Sequence, residues 1–337
     1  MNNKKRKKGV GLVIGKFYPP HKGHLQLVNF GIESGLCDRL IVAVCSRPEE
    51  TIAGNIRVNW MKEIYQEQKQ VEIASVKADL PQEKVASRPA SLAWAKYLNK
   101  RFGRIDYIFS SEKYGDYLAE YMDCQHVPFD RERSIVPISA TMIRNNPFMY
   151  WDMIPKPVRP HFVKRLCVYG PESTGKSTLA RQLAEYYQTE WVHEYGRDYV
   201  AQNGDKWGFK DIVPIAKGHA RLEQQAALKA NKLVFSDTDP IITSVFCRDR
   251  YGRVPRFVEE LADQKRYDLH LFCDIDLPWV EDAQRDLGHR RQEMKQILLD
   301  ELNRRNLPFA MVSGSGDDRL RCAVSHVDAF LAQAVDK

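Results

Sequence analysis

Residues 165–178 read Arg165-Leu-Cys-Val-Tyr-Gly-Pro-Glu-Ser-Thr-Gly-Lys-Ser-Thr178 and fit the pattern G-x-x-x-x-G-K-[ST]. A short apolar run precedes the pattern and apolar residues at helical spacing follow it, which is the strand, loop and helix context that the pattern requires. The glycines let successive backbone N–H groups and a helix N-terminus face one anion. The stretch therefore predicts a loop that binds the phosphates of a nucleotide.

The residues of this loop have separate predicted roles. Lys176 is expected to act in catalysis by reaching the β- and γ-phosphates of ATP, and the Ser177 hydroxyl is expected to contact Mg²⁺. The other residues predicted to bind ATP here are Gly170, Glu172, Ser173, Thr174, Gly175 and Thr178. The loop thus indicates a reaction that uses ATP and Mg²⁺.

The position of the loop divides the chain of 337 residues into two parts. A loop of this kind follows the first strand of its domain, so the residues before it must form a separate domain. Four prolines between residues 145 and 161 exclude a continuous helix and indicate a stiff linker. We predict a basic, disordered tail at residues 1–8, one domain at 9–154 and another at 155–337.

Composition narrows the class of protein. The net charge is +7, and five of the positive charges lie in the tail, at Lys4, Lys5, Arg6, Lys7 and Lys8. The rest of the chain is nearly neutral, so charge alone does not favour a nucleic-acid partner. The seven cysteines are scattered without a C-x-x-C pair, which predicts a reducing compartment and no structural metal. No signal peptide or membrane span is predicted, and a cytoplasmic location is expected.

Strand and helix patterns alternate along the first half. Strands are predicted at residues 9–15, 40–45, 71–76, 107–110 and 134–137, with helical patterns between them. The second half repeats the alternation. The predicted fold class is α/β, with two doubly wound parallel-sheet domains. Ligands of such sheets bind at the carboxyl ends of the strands.

Two short motifs of the first half are predicted to meet at one crevice. His21 and His24 open a helix after the first strand, and their ring nitrogens can donate hydrogen bonds to phosphate, as can Lys16. A zinc site is not favoured, because no cysteine or carboxylate joins the pair. Near residue 140, Ser139 or Thr141 can cap a helix that carries an arginine one turn further in.

Together these motifs resemble a nucleotidyltransferase superfamily. The matching residues are Gly15-Lys16-Phe17-x-Pro-x-His21-x-Gly-His24 and Ile138-Ser139-x-Thr141-x-x-Arg144. The resemblance implies a Rossmann-like domain that transfers AMP from ATP to a phosphate acceptor by direct attack. It implies catalytic roles for His21, His24 and Arg144, which hold the triphosphate, and ATP contacts from Gly15, Lys16, Phe17, Ser139 and Thr141. Positioning and charge neutralisation are enough for this chemistry.

Carboxylates follow a predicted strand of the second half. The run Leu233-Val-Phe-Ser-Asp237-Thr-Asp239 has the form of a strand that ends in Mg²⁺-binding acids. Asp237 is the predicted catalytic metal ligand and Asp239 a predicted substrate contact. The alternative is that such an acid only caps the following helix.

Other polar residues of the second half are placed to contact substrate or nucleotide. Glu194, after the preceding strand, is predicted to accept a proton from a substrate hydroxyl, and Arg197 and Asp198 to contact ribose. Arg285 and Arg290 belong to a charged stretch that looks like a lid over the ATP phosphates. The alternative for these arginines is a solvated helix face.

These runs, in this order, resemble the bacterial bifunctional nicotinamide-mononucleotide adenylyltransferase/ribosylnicotinamide kinases of the NadR type over about residues 10–335. The resemblance implies that a C-terminal P-loop kinase phosphorylates ribosylnicotinamide, and that the N-terminal domain converts nicotinamide mononucleotide and ATP to NAD. Trp60 and Trp94 are the candidates to stack on nicotinamide. Many relatives carry a helix-turn-helix ahead of the first strand; with that strand about nine residues in, no specific DNA binding is expected.

Two alternatives remain open on sequence alone. The same adenylyl transfer can use phosphopantetheine, flavin mononucleotide or nicotinate mononucleotide as acceptor. A protein of another class, a nucleotide-sensing regulator, would bind ATP without turnover. A homo-oligomer is compatible with the sequence, which does not specify the oligomeric state.

Overall fold

The computed structural model describes the chain except for residues 1–8, 78–79, 82–86, 133, 205–206, 265–266, 281–287 and 336–337. It divides into two compact units, one that ends at Val158 and one that begins at Arg159. The boundary predicted at residues 154 and 155 falls close to this division. Among the described residues, no helix has the length and apolar character needed to cross a membrane.

The unit that ends at Val158 contains a parallel sheet of five strands in the order β3-β2-β1-β4-β5. The strands are β1 (Gly9–Gly15), β2 (Cys37–Cys45), β3 (Val71–Val76), β4 (Tyr107–Ser110) and β5 (Gln125–Pro128). The helices are α1 (Lys22–Glu33), α2 (Gly54–Ile64), α3 (Arg88–Phe102), α4 (Tyr114–Met122) and α5 (Ala140–Asn145). Two apolar clusters, centred on Leu12 and Val13, cover the two faces because neighbouring strand residues point to opposite sides.

The unit that begins at Arg159 contains a second parallel sheet of five strands, in the order β10-β9-β6-β8-β7. The strands are β6 (Lys164–Tyr169), β7 (Glu190–Val192), β8 (Leu233–Asp237), β9 (Leu269–Cys273) and β10 (Phe309–Val312). The helices are α6 (Lys176–Tyr186), α7 (Tyr195–Asn203), α8 (Ile212–Lys229), α9 (Pro240–Tyr251), α10 (Arg256–Gln264), α11 (Arg291–Arg304) and α12 (Gly316–Val335).

The predicted fold class of two doubly wound parallel sheets is confirmed, with one strand corrected. The edge strand of the first sheet is Gln125–Pro128, which pairs with β4, and the predicted strand at residues 134–137 is a loop. In each sheet the strand order reverses beside the first strand of the unit, which places the loops after β1 and β6 at the switch point where such folds bind ligands.

Candidate active sites

A cavity of about 530 Å³ lies at the carboxyl end of β1. Its walls include His21 and His24 from the start of α1, Ser139 and Thr141 from the start of α5, and Trp94 from α3. Gly15, Lys16 and Phe17 of the connecting loop also line it. The structure thus brings both predicted motifs of the first half to one cavity.

The two histidines of this cavity are held in a defined arrangement. His21 caps α1, with its Nδ1 accepting from the backbone N–H of His24 at 3.4 Å. In a neutral ring the proton is then on Nε2, where it can be donated to a ligand. The two rings lie 3.7 Å apart between centroids. A Cβ on Gly23 would lie only 3.1 Å from the His21 ring, so a glycine suits this position.

The predicted arginine contacts the loop that carries the histidines. Arg144 donates through Nη1 to the carbonyl oxygen of Tyr18 and through Nη2 to Thr141 Oγ1 at 3.1 Å. Ser139 caps α5 by accepting from the Met142 N–H at 3.2 Å. Arg144 is not among the lining residues, but it is hydrogen-bonded to Thr141, which is.

Two residues that the sequence did not single out hold Lys16. Glu50 Oε1 lies 3.3 Å from Lys16 Nζ, and Glu50 Oε2 lies 2.5 Å from Arg57 Nη2. Arg57 is fully buried and donates to the Lys16 carbonyl oxygen at 2.9 Å. Burial opposes ionisation of Glu50, but hydrogen bonds from the Arg47 backbone and from Arg57 outweigh it and lower the pKa of Glu50. The pair fixes both the backbone and the amine of Lys16.

The two tryptophan candidates differ in position. Trp94 lines the cavity, and its Nε1 donates to the Pro81 carbonyl oxygen at 2.8 Å. Trp60 is 8% exposed on α2 and is not among the lining residues. The geometry therefore supports Trp94 and not Trp60 as the aromatic contact of a ligand.

A second cavity, of about 360 Å³, surrounds the loop between β6 and α6. Its walls include Glu172, Ser173, Thr174, Gly175, Lys176, Ser177 and Thr178. Gly170 has φ 138°, and a Cβ there would lie 2.7 Å from the Cys273 carbonyl oxygen. Lys176 Nζ donates to the Pro171 carbonyl oxygen at 2.7 Å, so its amine lies across the predicted phosphate-binding loop.

Asp237 is a buried acid at the end of β8 with unmet hydrogen-bonding capacity. It is 1% exposed, and the Ser177 hydroxyl lies close enough to lower the pKa of Asp237 by hydrogen bonding, yet neither carboxylate oxygen has a partner of good geometry among the described residues. Burial raises the pKa of Asp237, against the opposing charge of Lys176, while Glu194 raises it further. Such a carboxylate fits a cation, and the nearby Ser177 hydroxyl adds an oxygen ligand of the kind Mg²⁺ prefers.

Glu194 and Arg197 line the second cavity. Glu194 precedes α7, and its Oε2 accepts from Arg197 Nε at 3.4 Å. Asp198 lies 2.5 Å from His193 and is not among the lining residues. Of the residues predicted to contact substrate here, Glu194 and Arg197 are placed to do so.

Two predicted contacts of the second half lie elsewhere. Asp239 is 1% exposed, caps α9 through the Ile242 N–H and is hydrogen-bonded to His270, so the helix-capping alternative is the one the structure supports. Arg290 pairs with Asp249 and Glu293 and does not line the cavity. Arg285 lies outside the described residues.

The second cavity has an aromatic wall that no sequence motif predicted. Trp207, Tyr195 and Tyr251 line it, and the Arg250 guanidinium lies 5.1 Å from the centre of the Trp207 ring. These residues come from three separate segments, so no local motif marks them. Only the cluster Trp207-Gly-Phe, aromatic and outside a helix pattern, could have suggested a binding loop.

Comparisons with known proteins agree with this arrangement. The AAA domain family matches residues 165–319. The Trifunctional NAD biosynthesis/regulator protein NadR of Escherichia coli is 32% identical over 94% of this chain and 82% of its own length. The protein of the same name from Salmonella typhimurium is 33% identical over the same shares.

Solved structures share the fold of the whole chain. A crystal structure of NadR protein in complex with NR has a TM-score of 0.79 at 23% identity, and covers 97% of this chain and 98% of its own. A NadR structure in complex with NAD and AMP-PNP gives the same TM-score and identity, and covers 96% of each chain.

Proposed function

This chain belongs to the NadR family of NAD biosynthesis proteins, and on that premise we propose that it is an enzyme with two activities. The unit that begins at Arg159 phosphorylates ribosylnicotinamide to nicotinamide mononucleotide. The unit that ends at Val158 transfers AMP from ATP to that mononucleotide, forming NAD and pyrophosphate. The observation that carries the proposal is that each unit has its own cavity, lined in the first by Lys16, His21 and His24 and in the second by Lys176 and Arg197, which could donate hydrogen bonds to phosphate.

In the kinase unit, the loop after β6 would hold ATP through its backbone N–H groups and Lys176. Ser177 and Asp237 would hold Mg²⁺, which neutralises phosphate charge when bound. Glu194 is the proposed base: it lies in the same cavity and would accept the proton of the substrate hydroxyl that attacks the γ-phosphorus. The Pγ–O bond to ADP breaks as the new P–O bond forms.

The aromatic wall suits the base of the kinase substrate. Trp207 and Tyr251 line the cavity and would contact a heteroaromatic ring there, and Arg197 lines the same cavity as the proposed base. Asp198, predicted to contact ribose, is instead hydrogen-bonded to His193 in this structure.

In the adenylyltransferase unit, a phosphate oxygen of nicotinamide mononucleotide would attack the α-phosphorus of ATP and displace pyrophosphate. The attacking phosphate is already ionised near neutral pH, so no general base is needed. The requirement is to stabilise charge on the α-phosphate and the leaving pyrophosphate. His21, His24, Lys16 and Arg144 are the groups proposed for that task, and Trp94 is proposed to stack on the nicotinamide ring.

The rival acceptors are distinguished by binding. Nicotinamide mononucleotide should raise the melting temperature of the chain, whereas phosphopantetheine, flavin mononucleotide and nicotinate mononucleotide should not. Release of ADP from ATP on addition of ribosylnicotinamide separates the enzyme from a nucleotide sensor. If another acceptor stabilises the protein more, or no ADP is released, the proposed substrates are wrong. A cytoplasmic location is part of the proposal.

A further inference from the structure

Three buried side chains near β6 carry donor atoms typical of a metal site. Cys167 on β6 and His270 on β9 are register partners in the sheet, and Asp239 follows β8. The Cys167 Sγ, a ring nitrogen of His270 and a carboxylate oxygen of Asp239 lie within 4.8 Å of one another. Each residue is at most 1% exposed, and none lines either cavity. The cluster is therefore separate from both proposed reactions.

The hydrogen-bond geometry of His270 is not satisfied by a neutral ring. Nδ1 lies 3.3 Å from the Pro308 carbonyl oxygen, and Nε2 lies 3.3 Å from Asp239 Oδ2. Both neighbours are acceptors, but a neutral imidazole has one N–H to donate. Two arrangements satisfy the pair: an imidazolium that donates to both acceptors, or a ring with its proton on Nδ1 and a metal cation between Nε2 and Asp239 Oδ2.

The distance between the two facing atoms fits a shared metal ion. Ligands bound to zinc at about 2.0–2.1 Å in a tetrahedron lie about 3.3 Å apart, which is the separation of His270 Nε2 and Asp239 Oδ2. A histidine bound to metal usually donates its other ring N–H to a carbonyl or carboxylate, and the Pro308 carbonyl stands in that place. Asp239 Oδ1 is fixed in turn by the Ile242 N–H at 2.8 Å.

The chemistry of the donors favours zinc over Mg²⁺. A thiolate and an imidazole are soft or borderline ligands, whereas Mg²⁺ takes oxygen. One thiolate, one carboxylate and one Zn²⁺ sum to zero charge, which suits a fully buried site. We propose that Cys167, Asp239 and His270 bind a structural zinc ion that ties β6 and β9 to the start of α9.

A fourth polar group lies beside the cluster. Tyr169 is on the same face of β6 as Cys167, its ring lies 5.5 Å from that of His270, and it is fully buried. Its hydroxyl has no hydrogen-bond partner among the described residues. A buried hydroxyl without a partner is costly, so the Tyr169 oxygen is the candidate for the remaining coordination position.

Metal content and a cobalt spectrum test the proposal. The full chain, purified without a histidine tag, should contain about one zinc ion, as structural sites of this kind retain their metal. After chelation, Co²⁺ should give an absorption band for charge transfer from thiolate to cobalt. Cys167→Ala and His270→Gln should lose the zinc, and Cys167→Ala should lose the band. Cys273→Ala, which removes an equally buried thiol from β9, should keep both.

The unfolding transition gives a readout that needs no variant. Chelation of the wild-type chain should move its urea midpoint to lower concentration, and added zinc should restore it. The proposal fails if wild-type protein shows neither a charge-transfer band nor a chelator-dependent midpoint. It also fails if Cys167→Ala binds as much zinc as wild type. Asp239 and His270 would then be an ordinary buried hydrogen-bonded pair.

Discussion

The guanidinium of Arg144 lies 4.3 Å from the centre of the Tyr18 ring and donates to the carbonyl oxygen of the same residue. The Tyr18 hydroxyl lies 2.6 Å from Thr51 Oγ1, and Arg57 approaches the ring at 5.0 Å. The ring therefore holds a proposed triphosphate-binding arginine against the loop that carries His21. Tyr18 is a positioning residue in this account, since it acts through Arg144.

Replacement of Tyr18 should affect ATP more than the acceptor. A cation–π contact contributes about 0.5–2 kcal/mol, so Tyr18→Leu should raise the KM for ATP in adenylyl transfer about 2- to 30-fold. The KM for nicotinamide mononucleotide should change little. Tyr18→Phe keeps the ring and should retain most of the affinity for ATP. If Tyr18→Leu and Tyr18→Phe raise the KM for ATP equally, the ring does not position Arg144. The same conclusion follows if Tyr18→Leu raises the KM for both substrates equally.

Asp237→Asn should raise the free energy of unfolding at pH 7 without Mg²⁺ and abolish the kinase activity. Burial raises the pKa of Asp237 above its unfolded value, so the ionised form is less favourable in the folded chain than in the unfolded one. The contribution of this group to stability is full below the unfolded pKa and is lost as pH rises through the folded pKa. Asparagine avoids that loss, and the variant should be more stable than wild type at pH 7 without Mg²⁺.

Urea unfolding with and without Mg²⁺ measures this difference. The advantage of Asp237→Asn should shrink as the pH falls through the folded pKa, and Mg²⁺ should stabilise wild type but not the variant. Phosphorylation of ribosylnicotinamide should be lost. A variant that is less stable than wild type at pH 7 in the absence of metal would show that the carboxylate is satisfied by the protein itself.

The two histidines should differ in their effect on folding. His21 caps α1 with its side chain, whereas His24 takes part in that cap through its backbone N–H. His21→Ala should therefore lower the free energy of unfolding by about 0.5 kcal/mol, the lower end of the range for side-chain caps, because the contact is long at 3.4 Å. His24→Ala should leave this cap in place. Chemical denaturation of both variants measures the difference, and equal destabilisation would rule out the cap as its cause.

His24→Ala should act on turnover rather than on acceptor binding. Loss of one preorganised donor to a developing anion lowers kcat about 10²–10³-fold. The KM for nicotinamide mononucleotide should move far less, because the lost contact belongs to ATP and its transition state. His24→Asn keeps a donor and should recover part of the loss. Steady-state kinetics with both substrates varied measures kcat and both KM values. If the KM for nicotinamide mononucleotide rises at unchanged kcat, His24 is an acceptor-binding residue.

Motifs made of neighbouring residues were predictable, and contacts between distant segments were not. The glycines and Lys176 of the loop after β6 act through local backbone geometry, so their place follows from the pattern alone. The direction of a side chain at a strand end depends on what packs against it: Asp237 feels the charge of Lys176, while Asp239, two residues later and equally buried, is hydrogen-bonded to His270. The same limit hid the Glu50–Arg57 pair, which meets Lys16 of the loop after β1 only in the folded chain.

Two independent sites are proposed to act in sequence, the first forming nicotinamide mononucleotide and the second converting it to NAD. Product analysis by chromatography tests this proposal most directly, with ribosylnicotinamide, ATP and Mg²⁺ supplied to the purified chain. Wild type should form NAD by way of nicotinamide mononucleotide. Lys176→Ala should form neither product, yet adenylylate supplied nicotinamide mononucleotide within about threefold of the wild-type rate, because no described residue lines both cavities. His24→Ala should accumulate nicotinamide mononucleotide. Loss of both activities in either variant, with the fold intact, would contradict the two-site account.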